Sequence, residues 1–252
     1  MNKTLKKLFI SIAQIVGAVV VVLLLWWLFA TIADSDLVLP NPWAVLKITA
    51  QLLGKGTTYL ALLLTLLRAL IAFVASMAVA LALNLLSNIS DFCAPFVNGF
   101  VTFIRAIPTI AIILLTMIIF PSSFVVPIVV AFLVGFPVIY SAFQREICAD
   151  QKLLDVCNVY DVSNNKKVKH VLLPLMQRAI LPQCRDTFSL CVKVVIAGEV
   201  LALPKLGLGK DMYVAKVNLE TAKVLALTLL ALFACYVVAA SCALIGGRND
   251  KS

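Results

Sequence analysis

Seven ionisable side chains stand in or beside long apolar runs: Arg68, Arg105, Arg178, Arg185, Asp186, Lys193 and Glu199. Ionisable groups at membrane depth are costly, and they face a bundle interior or a watery cavity. Arg105 precedes Pro108, a residue that interrupts helices. A cation beside a broken helix can attract an anion, or it can pin that helix to a neighbour. Lys193 and Glu199 are separated by roughly 120° around a straight helix, so they do not pair directly; each faces another helix or a polar pathway. Asp186 and Lys193 share a face two turns apart, as a pair or with separate partners. Arg178 and Arg185 also share a face, near the inner end of their helix, where long side chains can snorkel. Arg105, Pro108, Lys193 and Glu199 are therefore the candidates for lining a passage through the membrane.

Several other chemistries are missing their residues. The lone His170 excludes a two-histidine metal motif such as HExxH, and no GxSxG occurs. Gly207-Leu-Gly209-Lys210 superficially resembles a phosphate-binding loop. However, Pro204 stands where the first glycine belongs, and Asp211 replaces the hydroxyl residue that would hold magnesium. If ATP drives this protein, another chain must bind it.

The elements that position these residues are membrane helices. Of 252 residues, 63% are hydrophobic and 13% charged, about half the charge content of a soluble domain. Uncharged runs exceed the roughly 20 residues needed to cross ~30 Å of hydrocarbon. The expected architecture is an all-α integral membrane protein with six spans, at about 8–33, 59–86, 94–120, 124–143, 174–203 and 224–247. The first run is too long for a signal peptide's apolar core and lacks a clear cleavage site, so it is expected to be retained. Residues 34–58 are expected to form a loop, because Pro40 and Pro42 break helices.

The net charge of +9 fits positively charged inner loops better than nucleic acid, since no basic patch with interleaved aromatics lies outside the spans. With the N-terminus inside, the cytoplasmic pieces carry Lys3, Lys6, Lys7, Arg145, Lys152, Lys166, Lys167, Lys169, Arg248 and Lys251. The outer loops carry Lys47, Lys55, Lys205, Lys210, Lys216 and Lys223. Both termini and residues 144–170 are accordingly expected in the cytoplasm. The seven cysteines show no CxxC spacing, so neither a metal site nor a disulfide framework is expected.

The longest polar passage, Leu153 to Pro174, reads LLDVCNVYDVSNNKKVKHVLLP. Asp150 to Tyr160 can form a short helix. Ser163 is a suitable N-cap for a second one, and the Asp and Asn residues between them favour a turn. A plain solvated loop is the alternative on topology alone.

The spacing at its end resembles the cytoplasmic motif of bacterial ABC importer permeases: Glu-Ala-Ala, three residues, Gly, nine residues, Ile-x-Leu-Pro. Here it reads Asp155-Val156-Cys157, three residues, Asp161, nine residues, Val171-Leu172-Leu173-Pro174. The closing half fits; the opening half departs from the pattern, with Asp161 in place of glycine. Asp can reach positive φ at about 1 kcal/mol more than glycine, so the bend has moved toward Asn164-Asn165 or the cost is tolerated. Further stretches resemble the nitrate, sulfonate and taurine permeases of that superfamily: LPNPWAVL, TLLRALIAF, RAIPTIA, GFPVIY and AGEVLALPKLGLG, in order from about Leu39 to Gly209.

This resemblance implies a type I ABC importer permease fold in a bacterial inner membrane. It implies a second permease subunit, identical or a paralogue. It also implies a pair of cytoplasmic ATPases carrying ATP and magnesium, an external solute-binding protein, and no enzyme activity or cofactor in this chain. The solute would be small and anionic or organic. Asp155, Cys157, Tyr160, Asp161, Ser163, Asn164 and Asn165 would form the coupling helices that rest on the ATPase. A self-contained secondary carrier, or an ATP-independent binding subunit, is the rival. A carrier would show matching halves with broken helices, and no such repeat is visible.

Overall fold

Long uncharged runs of Leu, Ala, Val and Ile can satisfy their backbone in hydrocarbon only by bonding internally, which makes them helices. The computed structural model describes residues 3–33, 35, 37–90, 92–160 and 162–246. Its elements are α1 (Lys3–Ala33), α2 (Pro42–Leu53), α3 (Gly56–Ile89), α4 (Cys93–Ala106), α5 (Thr109–Ile119) and α6 (Val125–Ala149). They continue with α7 (Gln151–Val159), α8 (Asn164–Lys167), α9 (Leu173–Ala202), α10 (Leu208–Val217) and α11 (Thr221–Gly246). Among the described residues α3, α6 and α11 are long and apolar enough to cross a membrane, and α4 with α5 makes a further candidate pair, bent by 95°.

That bend falls where the sequence puts Arg-Ala-Ile-Pro. Ile107 is pushed into an extended conformation, φ −73° and ψ 126°, as a residue before proline usually is. Pro137, in contrast, stays inside α6.

The expected loop over residues 34–58 is corrected by α2. Asn41 takes an extended N-cap conformation, its side chain accepts a hydrogen bond from the Trp43 amide, and Pro42 occupies the first turn. Proline is favoured there, because its missing N–H would have been an orphan donor. The two prolines thus frame the helix start; neither forbids the helix.

Two compact units emerge. The first comprises Met1–Thr58 and Met212–Leu230. Within it the Trp26 indole donates to Pro40 O at 3.2 Å, and the Thr221 hydroxyl donates to Leu37 O at 2.6 Å. Between α10 and α11 the chain turns through a helix-ending motif: Glu220 N–H donates to Ala215 O at 2.8 Å and Leu219 N–H to Lys216 O at 3.1 Å. Leu219 itself sits at φ 58°, a left-handed position that glycine normally fills.

The second unit comprises Tyr59–Asp211 and Ala231–Ser252. Its core is built on the α6–α9 pair. A side chain at Gly135 would press on Ser76 Oγ at 3.0 Å and Cys191 Sγ at 3.2 Å, and one at Gly198 on Pro127 Cα at 3.0 Å. Small residues let the helix backbones approach, as in other membrane bundles. Phe73 and Phe188 meet edge to face at 6.0 Å. Phe143, Ile139, Ile147, Leu172 and Met176 are fully enclosed in the same core.

Candidate functional site

Three groups of polar residues stand out against this apolar body. The first is the passage between α6 and α9. Its first half is a helix, α7, one of whose faces is rooted in the core through buried Leu154 and Cys157. Asp155 is exposed on α7. Leu153, Val156, Val159 and Tyr160 are also exposed, Val159 and Tyr160 at 79% and 77%, giving α7 an apolar edge outside the core as well. Val162 N–H donates to Cys157 O at 2.9 Å. Asp161 lies outside the described residues.

Ser163 takes the N-cap place of α8, as its type suggests, but its side chain makes no capping hydrogen bond. Asn164 and Asn165 are exposed in the first turn. A single π turn, Val168–Leu172, then carries the chain into α9. Helix 5 was expected to begin near Pro174; instead the helical path runs unbroken from Asn164, and Pro174 falls in the first turn of α9. Proline there removes no needed donor, since the extra residue of the π turn already shifts the bonding pattern. Arg178 of α9 reaches Asp150, at the end of α6, at 2.7 Å.

The second group is enclosed. Glu199 is 0% exposed and Arg68 2%, and the two are ion-paired through Glu199 Oε1. Thr65 Oγ1 donates to the same carboxylate at 3.0 Å, and the Gly209 amide donates at 2.9 Å. The Leu208 amide donates to Thr65 Oγ1 at 3.0 Å, and Arg68 donates also to Leu206 O at 3.0 Å. The Arg68 guanidinium lies over the Phe124 ring at 4.7 Å, where the ring's negative face adds to its stabilisation.

The glycines here are explained by proximity. A Cβ at Gly207 would fall 2.6 Å from Glu199 Oε2, and one at Gly209 would fall 2.6 Å from Glu199 Cβ and run into the Ile196 carbonyl. The Gly-Leu-Gly passage is therefore a close-fitting cradle for a carboxylate, which the Gly209 N–H holds directly and the Leu208 N–H holds through Thr65. In this arrangement the two charges are spent on each other. Glu199 thus meets another helix, α3, through Arg68.

The third group is spread over α4, α6, the start of α5 and α9. Arg105 is exposed and donates to Ser141 Oγ at 2.8 Å. Pro108 occupies the N-cap of α5 and is exposed beside the bend. Lys193 is exposed on α9 and, among the described residues, forms neither an ion pair nor a hydrogen bond. Lys193 and Asp186 are therefore not a pair.

Two features escaped sequence reasoning. Thr65 was visible only within a motif and Arg68 as a costly charge, with nothing to say that they meet Glu199. The apolar edge of α7 was also missed, although Leu153, Val156 and Tyr160 recur at helical spacing. Among the described residues no cluster of His, Cys, Asp or Glu could hold a metal ion.

Helices of this length and hydropathy, packed through glycine and enclosing an ion pair, define a polytopic helical membrane protein. Over 192 residues the chain is 28% identical to proteins named "Probable ABC transporter permease protein" from Brucella melitensis biotype 1 and Brucella abortus strain 2308. The match covers 76% of this chain, 77% of the first relative and 76% of the second. A third relative of the same description, from Brucella abortus biovar 1, matches equally well, at 28% identity. No protein-family profile matches the chain.

Proposed function

We propose that this chain is a permease subunit of a bacterial ABC importer, with six spans in the inner membrane and both termini in the cytoplasm. The observation that carries the reading is α7: a short helix rooted in the core by Leu154 and Cys157, with an apolar edge left exposed at Val156, Val159 and Tyr160. An exposed apolar edge on a polar connecting segment marks a surface that a partner or the membrane interface covers, and in this reading a partner covers it. That partner is a cytoplasmic ATPase, which binds ATP and magnesium. Asp155, Cys157, Tyr160, Asp161, Ser163, Asn164 and Asn165 form the coupling surface. The permease relatives support this assignment.

The chain works with a second permease subunit and an external solute-binding protein, and passes a small anionic or organic solute. Closure of the ATPases moves the helix bundle as a rigid body through α7 and α8. Arg105, Pro108 and Lys193 face the pathway, while Glu199 with Arg68 holds the segment after α9 to α3.

The test is a mild-detergent pull-down of the chain from its native membrane, with mass spectrometry of what accompanies it. A companion sample carries Asp155→Lys, Asn164→Ala and Asn165→Ala. An ATP-binding cassette subunit should follow the native chain and be lost from the variant. Its absence from both samples would refute the reading and leave a self-contained carrier or an ATP-independent binding subunit.

A further inference from the structure

Helix α4 has three distinct faces. Val97 and Val101 are buried in the core. Phe96, Phe100 and Phe103 are exposed at 78%, 46% and 65% and cluster on one side. Asn98, Thr102 and Arg105, spaced i, i+4 and i+7, stack on a third side, and all are exposed.

This polar side meets a polar strip on α6. Tyr140 Oη donates to Asn98 Oδ1 at 2.7 Å, Gln144 Nε2 donates to Tyr140 Oη at 3.1 Å, and Arg105 bonds Ser141 as described. From behind, Asn84 of α3 donates to the Tyr140 carbonyl at 3.2 Å. Side chains that reach across three helices in this way form a built surface.

Part of its hydrogen-bonding capacity is already used within the protein. The Asn98 carbonyl oxygen is taken by Tyr140 and Ser141 Oγ by Arg105. The hydroxyl of Ser141 donates to Pro137 O at 2.9 Å and that of Thr102 to Asn98 O at 2.8 Å. What remains is most of Arg105's five N–H groups and the Asn98 amide as donors, and Gln144 Oε1 and the lone pairs of Thr102 Oγ1 as acceptors. The guanidinium of Arg105 is the charge among them. Helix α4 has no acidic residue, and the one acid of α6, Glu146, sits roughly 140° around the helix from Ser141.

An exposed face of this kind is expensive against hydrocarbon, and α4 already has an aromatic face for lipid. We propose that Asn98, Thr102, Arg105 and Gln144, held from behind by the buried Tyr140, form one wall of a water-filled passage, and that the Arg105 charge, with no acid on α4 to offset it, makes this wall favour anionic solutes over cationic ones. The wall extends about 10 Å along α4 from Asn98 to Arg105, the length of a small organic anion. The inference rests on the permease reading and names the residues that would meet its solute.

The test uses the full chain in its native membrane with its partners. Thr102→Cys is exposed separately to anionic 2-sulfonatoethyl methanethiosulfonate and to cationic 2-(trimethylammonium)ethyl methanethiosulfonate. Modification of residue 102 is read by mass spectrometry of its peptide. Each rate is normalised to that of the same reagent with a free thiol in solution.

The normalised anionic rate should exceed the cationic one by about tenfold, as one nearby cation in a partly screened site would produce. Arg105→Gln should bring the ratio to unity, and Arg105→Lys should preserve it. Thr102 bonds only within its own helix, so cysteine there leaves the network in place, and Phe103→Cys on the aromatic face should react with neither reagent. Equal rates at residue 102 would overturn the anion preference, and no reaction with either reagent would show that lipid or protein covers the face. Co-purification of the ATPase from the same membranes tests the permease reading separately. With the ATPase present and the ratio at unity, only this inference fails.

Discussion

Replacing Glu199 by Gln preserves the shape of the side chain and removes its charge. The carboxylate now accepts from Arg68, Thr65 and the Gly209 amide. An amide offers one acceptor oxygen and one NH2 group, so at least one of those donors is left facing another donor. Arg68, 2% exposed, keeps its charge and loses its counterion. Breaking one side of a buried pair in this way costs about 3–5 kcal/mol. In a chain of this size each kcal/mol lowers Tm by roughly 2–4 °C, so the variant should unfold roughly 6–20 °C earlier. The assay is thermal unfolding of the full chain in detergent, followed with a thiol-reactive dye that reports exposure of the buried Cys157, Cys191 and Cys235 above the native-state reaction of exposed Cys148. The double variant Arg68→Met, Glu199→Met should recover most of the loss, because it removes both charges and leaves apolar groups of similar reach. A single variant as stable as the native chain would refute this account of the cluster, as would a double variant destabilised by the sum of the two singles.

Three further outcomes follow from other features. Gly209→Ala should lower Tm more than Gly207→Ala in the same assay, because its Cβ meets the Ile196 backbone while that of Gly207 meets the Glu199 carboxylate alone. Leu219→Gly should stabilise the chain by up to about 1 kcal/mol, since it relieves a left-handed leucine that is 68% exposed and has little packing to lose; unchanged or lower Tm would count against the strain. On α7, Val156→Glu should leave stability within about 0.5 kcal/mol of native yet abolish ATPase capture in the pull-down. Leu154→Ala, 6% exposed, should instead cost about 2–5 kcal/mol of stability.

How much of this was legible in the sequence depended on range. The break at Pro108 and the helix over α7 could be read locally, because a pre-proline residue and an amphipathic polar stretch carry their own geometry. The start of α2 was misread for the opposite reason. Pro40 and Pro42 look alike as breakers, and only the capping bond from the Trp43 amide to Asn41 distinguishes a first-turn proline from an interior one. Arg68 and Glu199 lie 131 residues apart, and no periodicity connects them. Each was visible as a costly charge, but its partner was not, and the two glycines that cradle the carboxylate look from sequence like a phosphate loop. The apolar edge of α7 was within reach of helical spacing, but polar neighbours obscured it.

The π turn at Val168–Leu172 has a mechanical consequence. Because it joins α8 to α9 without a break, residues 164 to 199 make one rod of about 50 Å. One end carries the exposed asparagines, and the other is bolted to α3 by the Glu199–Arg68 pair. Pro182 removes one backbone hydrogen bond inside α9, so the rod's most compliant point lies between the asparagines and the glycine-tight crossing against α6. In the permease reading, a push at the asparagine end would be divided there, part into bending at Pro182 and part into a torque on the joint that the ion pair clamps.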